Sequence, residues 1–285
     1  GVRLVGSEMC IRDSINIWRK KKMKIAFIGY GNMANALVSS ILTSKNIVLS
    51  SDIHIFHNKN KDAYELDKCK FLQSGQDCED NFDIIFLCIK PKDIESAIKE
   101  NSHIFLDNQT IISVAAGITI NSIKDLIQKN VLIARAMPNL CAIFNESITG
   151  LCMQNNMDDN TKDLVENIFK NIGYVRKINE DEMHSFTALY GSGPAYIMYF
   201  IESLIDCENF DSITDDEKVL LVLQLLNSTS KLLLTTKDIS ELRSKVTSKG
   251  GTTESAIKVL EENNFSEILK EAVQGARKKS VDLSK

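Results

Sequence analysis

Apolar and polar positions alternate along the first part of the chain in the manner of an open α/β sheet. Between Met23 and about residue 178, short apolar runs typical of strands buried on both faces are separated by segments with helical spacing. The predicted strands are 25–28, 53–56, 83–91, 110–118, 131–139, 147–153 and 173–178. The predicted helices of this part include 33–42 and 161–171. The alternation predicts a doubly wound α/β domain.

The hydrophobic period becomes helical from Glu180 onward. The segment 217–234, EKVLLVLQLLNSTSKLLL, is apolar nearly all round, so it must be buried if it forms a helix. A domain of about a hundred residues has a limited core of its own, which favours burial against a second subunit. We therefore predict an all-α C-terminal domain that forms a homodimer or a higher homo-oligomer. A monomer with a compact helical domain is the alternative.

The glycine-rich stretch Gly191-Ser192-Gly193-Pro194 interrupts the first long helical segment of this second part. It differs from a nucleophile elbow, because the glycines flank the serine directly and proline follows. We predict that it permits close helix packing and a local backbone opening near a ligand.

The first 22 residues differ in character from the rest. They begin with Gly1, end in a basic run and contain Trp18, the only tryptophan. They carry no apolar segment of the kind found in secretory signals. We predict three regions: an extraneous or leader tail at 1–22, an α/β domain at 23–178 and a helical domain at 179–285.

Composition narrows the set of partners. The chain is 44% hydrophobic and 25% charged, and its net charge is 34 − 38 = −4. We therefore expect no nucleic-acid partner and no membrane partner. Its seven cysteines form no CxxC pair, which is typical of reduced thiols and predicts a cytoplasmic protein. His54 and His57 lie three apart in a predicted strand and should face opposite sides, so we predict no metal site.

A glycine motif lies between the first predicted strand and the first predicted helix. Gly29, Gly31 and Ala34 form G-x-G-x-x-A, in which the glycines permit a tight turn and a close approach of backbone to a pyrophosphate. The following helix start attracts the phosphates. The motif in this context predicts a Rossmann dinucleotide-binding domain, and a simple strand-to-helix turn is the alternative.

The end of the second strand predicts the type of dinucleotide. An NAD site usually has Asp or Glu there, whereas this chain has Asn58 and Lys59, which suit a 2′-phosphate. We therefore predict NADP (NADPH), with NADH as the alternative; if this turn is merely a solvated basic turn, the preference is undecided. Residues at the ends of two further strands, 88–91 and 114–116, are predicted to line the cofactor, because ligands of such sheets lie beyond the carboxyl ends of the strands.

The segment TSKGGTTESAI, 247–257, has more glycines and hydroxyls than a connection between two helices needs. Backbone N–H groups at a glycine-rich helix start hold carboxylates and phosphates well. Beside a dinucleotide domain, this segment predicts a cradle for the carboxylate of a substrate.

Six segments occur in an order and at a spacing that resemble one family: FIGYGNMA, LCIKP, SVAAGIT, RAMPN, ALYGSGPAYI and KVTSKGGTTESAI. Residues 23–283 are similar to pyrroline-5-carboxylate reductase, which makes proline. The resemblance implies an N-terminal Rossmann domain, a C-terminal dimerisation domain, and reduction of 1-pyrroline-5-carboxylate to L-proline with NADPH.

The resemblance also implies roles for individual residues. Thr253 would be the catalytic residue, offering its hydroxyl to the ring nitrogen. The substrate pocket would be lined by Glu180, Ser248, Gly250, Gly251, Thr252 and Thr253. The cofactor would be bound by Ile28, Gly29, Tyr30, Gly31, Asn32, Met33, Asn58, Lys59, Cys88, Ile89, Lys90, Pro91, Val114, Ala115 and Ala116. From its position alone, Glu180 is better explained as an ordinary acid at a helix start.

Three positions depart from the family pattern as the resemblance implies it. Lys249 stands where the family usually has proline, Leu140-Cys141 where it often has Thr-Pro, and Lys245 where some members have asparagine.

Two other functions remain open from the sequence. One is a different two-domain NADP-dependent imine or hydroxy-acid reductase, and the other is a non-catalytic NADPH-binding sensor.

Overall fold

The computed structural model describes residues 23–43, 52–57, 69–207, 212–236 and 238–284. The predicted tail at 1–22 lies outside the described residues. Within the described part, eight strands form one sheet in the order β3-β2-β1-β4-β5-β6-β7-β8. The strands are β1 Lys24–Ile28, β2 Asp52–Phe56, β3 Cys69–Leu72, β4 Ile84–Leu87, β5 Thr110–Ser113, β6 Leu132–Met137, β7 Ser147–Met153 and β8 Gly173–Lys177.

The sheet is parallel from β3 to β6, and its last two strands run the opposite way. β7 pairs antiparallel with β6 and parallel with β8. The chain turns back between β6 and β7 through a short 3₁₀ helix, Leu140–Phe144, which ends at Asn145 in the left-handed region (φ 59°). A connection this short cannot make the crossover that a parallel neighbour requires, so the strand direction reverses.

The predicted strands are confirmed, and their burial explains the sequence pattern. Side chains of β4 and β5 are buried on both faces of the sheet, which is why these segments read as continuous apolar runs. One face packs around Phe27 and Phe86, whose rings stack with centroids 4.5 Å apart, and the other around Phe56 and Phe105. The strand ends fall short of the predicted ends at 91, 118 and 139, because the chain turns into loops there.

Helices cover the sheet and make up most of the described residues after β8. The helices are α1 Asn32–Thr43, α2 Ile94–Glu100, α3 Ile120–Ile127, α4 Asp159–Lys170, α5 Met183–Phe186, α6 Gly193–Ile205, α7 Asp215–Leu233, α8 Ile239–Lys245, α9 Thr252–Glu262 and α10 Phe265–Asp282. A π-helical segment, Thr187–Gly191, lies between α5 and α6. No described helix is long and apolar enough to cross a membrane.

The chain divides into two compact units. One contains the sheet, runs to Gly191 and includes the C-terminal residues from Arg277; the other is helical and spans Ser192–Ala276. The α/β class with a separate helical part is therefore as predicted. The helix α10 begins in the helical unit and ends in the sheet unit.

Candidate active site

The carboxyl ends of three strands meet at one edge of the sheet. Ile28, Leu87 and Ser113, the last residues of β1, β4 and β5, are aligned in register. The chain runs from β1 to β2 and β3 on one side and from β4 to β6 on the other, so the strand order reverses between β1 and β4. In open α/β sheets this reversal opens a crevice in which ligands bind. Three of the predicted cofactor loops follow directly at this edge.

Gly29 makes the turn that ends β1. Its φ is +90°, and its N–H donates a 2.9 Å hydrogen bond to the carbonyl of Phe56. A Cβ atom here would lie 2.5 Å from Cγ2 of Ile89 and 2.6 Å from the carbonyl oxygen of Cys88. Position 29 therefore requires glycine for both its conformation and its close contacts.

Gly31 differs from Gly29 because no contact within the described part of the protein requires a glycine there. A Cβ atom at Gly31 would meet nothing within 4 Å, so no protein atom requires its absence. Its carbonyl accepts the 2.9 Å hydrogen bond from Asn35 N–H that opens α1. The space above Gly31 and the exposed start of α1 at Asn32 fit a pyrophosphate that approaches the backbone.

The side chains of this motif do not all face the edge. Ile28 is 1% exposed and Tyr30 is 3% exposed, and the Tyr30 hydroxyl donates to Oδ1 of Asn35 at 3.0 Å. Tyr30 also packs edge-on against Phe71. These two predicted cofactor residues therefore offer only backbone groups, whereas Asn32 is exposed and Met33 is half-buried.

The two neighbouring loops continue the hydrogen-bond ladder past the strands. Cys88 N–H donates to the Ile28 carbonyl at 2.9 Å, and Val114 N–H donates to the Leu87 carbonyl at 3.2 Å. Desolvation raises the pKa of the Cys88 thiol well above its usual range, so it stays neutral. Within the same predicted set, Lys90 is exposed, Ala115 is buried, and Ile89, Pro91, Val114 and Ala116 are half-buried. Asn58 and Lys59 lie outside the described residues.

The predicted substrate loop lies in the helical unit and joins α8 to α9. Gly251 N–H donates to the Ser248 carbonyl at 3.0 Å, which closes a tight turn with Gly250 at φ +74°. Helix α9 begins at Thr252, and Gly251 as its N-cap has no side chain to cap the first N–H groups. Thr253 is half-buried in this first turn. The loop therefore has the helix-start geometry expected of an anion cradle.

Glu180 makes two hydrogen bonds within the sheet unit. Its Oε1 accepts from Nη1 of Arg135 at 2.7 Å and from the N–H of Ile120 at 2.7 Å. The Arg135 side chain is 3% exposed and that of Glu180 33%. The carboxylate therefore neutralises a buried cation and stabilises the start of α3. Its predicted contact with the substrate stays a prediction.

Sequence reasoning missed the role of Arg135. A lone cation in the apolar strand LIARAM must find an acceptor when it is buried, and that is the signal that could have revealed it. The sequence separation of 45 residues between the partners hides which acid it contacts.

The C-terminal end of α10, which belongs to the sheet unit, packs near this ion pair. Nδ1 of His184 lies 3.0 Å from Oγ of the buried Ser280, and Nε of Arg277 donates to Oγ of Ser185 at 3.0 Å. Burial, followed by the charges of Arg135 and Arg277, lowers the pKa of His184. His184 is therefore neutral near pH 7 and acts as a structural hydrogen-bonding residue.

The interruption at 191–194 permits close packing. A Cβ atom at Gly191 would lie 3.0 Å from Cε of Met137, so a larger residue would push against β6. Nδ2 of Asn139 donates to the carbonyl of Tyr190 at 3.1 Å, which holds the π-helical segment in place. Pro194 lies in the first turn of α6, where its missing N–H costs no hydrogen bond. The predicted opening near a ligand stays a prediction.

Two other features of the described residues lie elsewhere. A cavity of about 420 Å³ lies at the amino ends of β4 and β5, opposite the glycine motif.

His54, Cys78 and Asp80 are close enough to share a metal ion. However, Lys24 and Lys70 also contact the Asp80 carboxylate and, with His54, lower its pKa. Two ammonium groups therefore already lie beside this carboxylate, and their positive charge disfavours a further cation there.

Comparison with known proteins gives matches over both parts of the chain. Residues 24–117 match a family described as NADP oxidoreductase coenzyme F420-dependent, and residues 180–283 match one described as pyrroline-5-carboxylate reductase dimerisation. A pyrroline-5-carboxylate reductase of Staphylococcus haemolyticus is 32% identical over 276 residues, covering 92% of this chain and 98% of that protein. The chain belongs to the pyrroline-5-carboxylate reductase family.

Solved structures of the pyrroline-5-carboxylate reductase family have the same fold. The Coxiella burnetii pyrroline-5-carboxylate reductase aligns with a TM-score of 0.76 at 31% identity, covering 93% of this chain and 100% of that one. The Plasmodium falciparum pyrroline carboxylate reductase, solved with NADP bound, aligns with a TM-score of 0.82 at 26% identity, covering 92% and 98%. Both the sheet unit and the helical unit are thus typical of this family.

Proposed function

We infer that this protein reduces 1-pyrroline-5-carboxylate to L-proline with NADPH as the hydride donor. The observation that carries the inference is that this member of the family has two separate backbone segments whose geometry suits an anion. One is the glycine turn at 29–33 and the other is the helix start at 250–253. The first suits a dinucleotide and the second suits a small carboxylate.

The glycine turn has the features that a pyrophosphate needs. The open space at Gly31 allows close approach, and the exposed start of α1 supplies N–H groups and a positive helix dipole. We propose that the loops 88–91 and 114–116, which follow β4 and β5, contact the ribose and nicotinamide. We propose that Asn58 and Lys59 contact the 2′-phosphate.

The helix start at 250–253 is proposed to hold the substrate carboxylate. We propose that the backbone N–H groups of Thr252 and Thr253 donate to it, because the N–H of Gly251 is already bonded to the Ser248 carbonyl that closes the turn. We propose that the Thr253 hydroxyl contacts the ring nitrogen. We retain Glu180 as a proposed pocket residue, although its two hydrogen bonds already give it a structural role.

The chemistry requires little from acidic side chains. NADPH supplies the hydride when it is bound, and a protonated cyclic imine is already electrophilic. The protein therefore has to orient the imine carbon and exclude water. The hydroxyl of Thr253 orients the ring by a hydrogen bond to its nitrogen, and the carboxylate cradle holds the substituent on the neighbouring ring carbon.

We propose a cytoplasmic homodimer, or a higher assembly built from dimers. Helices α6 and α7 leave large apolar side chains exposed in the single chain; Tyr199 is 73% exposed and Leu220 is 65% exposed. Apolar surface of this extent marks an interface. A second copy of the same domain is the partner that the match to a dimerisation family supports.

The reaction is tested by following NADPH oxidation with pyrroline-5-carboxylate. We expect turnover by the unaltered protein, and Thr253→Ala should lower kcat/KM about 10-fold because one hydrogen bond to the ring is lost. Thr253→Ser keeps the hydroxyl and is the matched control. If the unaltered protein has no turnover, the proposed reaction is wrong. Full activity of Thr253→Ala would contradict only the role of its hydroxyl.

The 2′-phosphate assignment is tested by reversing one charge. Lys59→Glu should raise the KM for NADPH about 10-fold and leave the KM for NADH nearly unchanged, since only NADPH carries the extra phosphate. Lys61→Glu alters a neighbouring charge and serves as the control for bulk electrostatics. Equal effects on both cofactors would refute the assignment.

A further inference from the structure

The turn that precedes α9 has no proline to fix its backbone conformation. Gly251 N–H bonds to Ser248 O, so Ser248, Lys249, Gly250 and Gly251 form a four-residue turn. Gly250 has φ +74° while Lys249 has no positive φ, which is the type II arrangement. Proline is common at the second position of such turns because it fixes φ in advance. Lys249 occupies that position, so its φ is not fixed covalently.

Glu254 supplies a different constraint on the same turn. Its Oε2 accepts the N–H of Gly250 at 2.7 Å, across four residues from the first turn of α9. This N–H belongs to the residue in the left-handed conformation. The hydrogen bond therefore holds the third position of the turn against the helix, and its acceptor is charged, which makes it stronger than a neutral one.

The position of the carboxylate also suits the helix. An acid in the first turn interacts favourably with the positive end of the helix dipole. The carboxylate takes the N–H of Gly250, which precedes the helix, and the side chain belongs to the helix itself. It thus connects two segments that are proposed to bind the same substrate carboxylate.

We propose that Glu254 is a positioning residue for the substrate: it replaces the rigidity of a prolyl turn by clamping Gly250, so that the N–H groups of Thr252 and Thr253 stay aimed at the substrate carboxylate. The inference rests on the proposed function, because it assigns the loop 248–253 to the substrate. Glu254 contacts the loop and takes no part in hydride transfer.

The first test separates substrate binding from cofactor binding. Glu254→Ala should raise the KM for pyrroline-5-carboxylate about 5-fold and change kcat and the KM for NADPH less than about 2-fold. Glu254→Gln keeps an acceptor oxygen and should stay within about 2-fold of the unaltered protein. Glu261→Ala removes an exposed acid from the same helix and is the matched control. An unchanged substrate KM in Glu254→Ala would overturn the proposal, and so would an equal rise for NADPH.

The second test asks whether loss of rigidity in the turn causes the rise of the substrate KM in Glu254→Ala. Adding Lys249→Pro to Glu254→Ala should return the substrate KM to within about 2-fold of the unaltered protein, because proline restores a fixed φ at the second position. Ser248 is not helical, so a following proline is compatible with its backbone. Failure of the double variant to recover would show that Glu254 acts by another route.

The third test needs no turnover. Hydrogen exchange of the peptide covering 247–253 should be faster in Glu254→Ala by about 5-fold or more, and unchanged in Glu254→Gln and Glu261→Ala. Equal exchange in Glu254→Ala and the unaltered protein would overturn the clamp even if the reductase activity stands. Faster exchange in a protein without turnover would support the clamp while refuting the proposed reaction.

Discussion

Gly29→Ala is expected to abolish most of the activity, with kcat/KM for NADPH falling about 100-fold or more. Alanine at φ +90° is strained, and its Cβ atom would lie 2.6 Å from the carbonyl oxygen of Cys88. That oxygen belongs to backbone held by the bond from Cys88 N–H to Ile28. The loop at 88–91 must therefore move. We also expect a loss of about 3 kcal/mol in the free energy of unfolding without cofactor.

Gly31→Ala is the matched control for this prediction. Its Cβ atom would meet no protein atom within 4 Å, so the stability of the cofactor-free protein should change by less than about 0.5 kcal/mol. The added methyl group nevertheless occupies the space proposed for the pyrophosphate, and the affinity for NADPH should fall about 10-fold. The two quantities are measured by chemical denaturation and by calorimetric titration with NADPH. Unchanged affinity in Gly31→Ala would place the cofactor elsewhere.

Glu180→Ala is expected to destabilise the protein by about 2–3 kcal/mol, because it leaves the Arg135 guanidinium buried without its carboxylate. This loss of stability is smaller than is usual for a broken buried ion pair, because the Glu180 side chain is one-third exposed. The N–H of Ile120 at the start of α3 loses its acceptor in the same variant. Urea denaturation of the cofactor-free protein measures the loss.

Glu180→Gln distinguishes the structural role of this residue from its proposed contact with the substrate. The amide oxygen can still accept from Ile120 or Arg135, so the loss of stability should be smaller than in Glu180→Ala. If Glu180 also contacts the cationic imine, the substrate KM should rise in Glu180→Gln while the fold is retained. A stable Glu180→Gln variant with unaltered KM would leave only the structural role. No loss of stability in Glu180→Ala would contradict the importance of the ion pair.

The sequence predicted the sheet well because each central strand is buried on both faces. Continuous apolar runs such as that of β4 indicate such strands directly. The glycine motif was recognisable for a similar reason: Gly29 needs a positive φ that other residues avoid, so its identity is dictated locally. Strand ends were less predictable, since apolar residues such as Ile89 continue beyond the last paired residue into the loop.

Features that depend on distant contacts were not predictable from local pattern. Tyr30 lies inside the glycine motif, yet its ring packs into the core against Phe71. The pairing of Arg135 with Glu180 joins segments far apart in the chain. The bond from Gly250 to Glu254 is local, but whether the acid bonds to the turn or faces solvent depends on its rotamer.

The edge proposed to bind the cofactor offers main-chain atoms at several positions, and this has a consequence for how the family can diverge. Side chains at positions such as Ile28 and Tyr30 point into the core, while peptide groups continue the ladder past β1 and β4. Selection at such an edge acts on backbone conformation, so many residue types are compatible with the same binding surface. Relatives can therefore drift to about one-third identity, as the Staphylococcus haemolyticus protein has at 32%, and remain in the same family. Gly29 is the part of the edge whose identity cannot drift, because only glycine adopts its positive φ without strain.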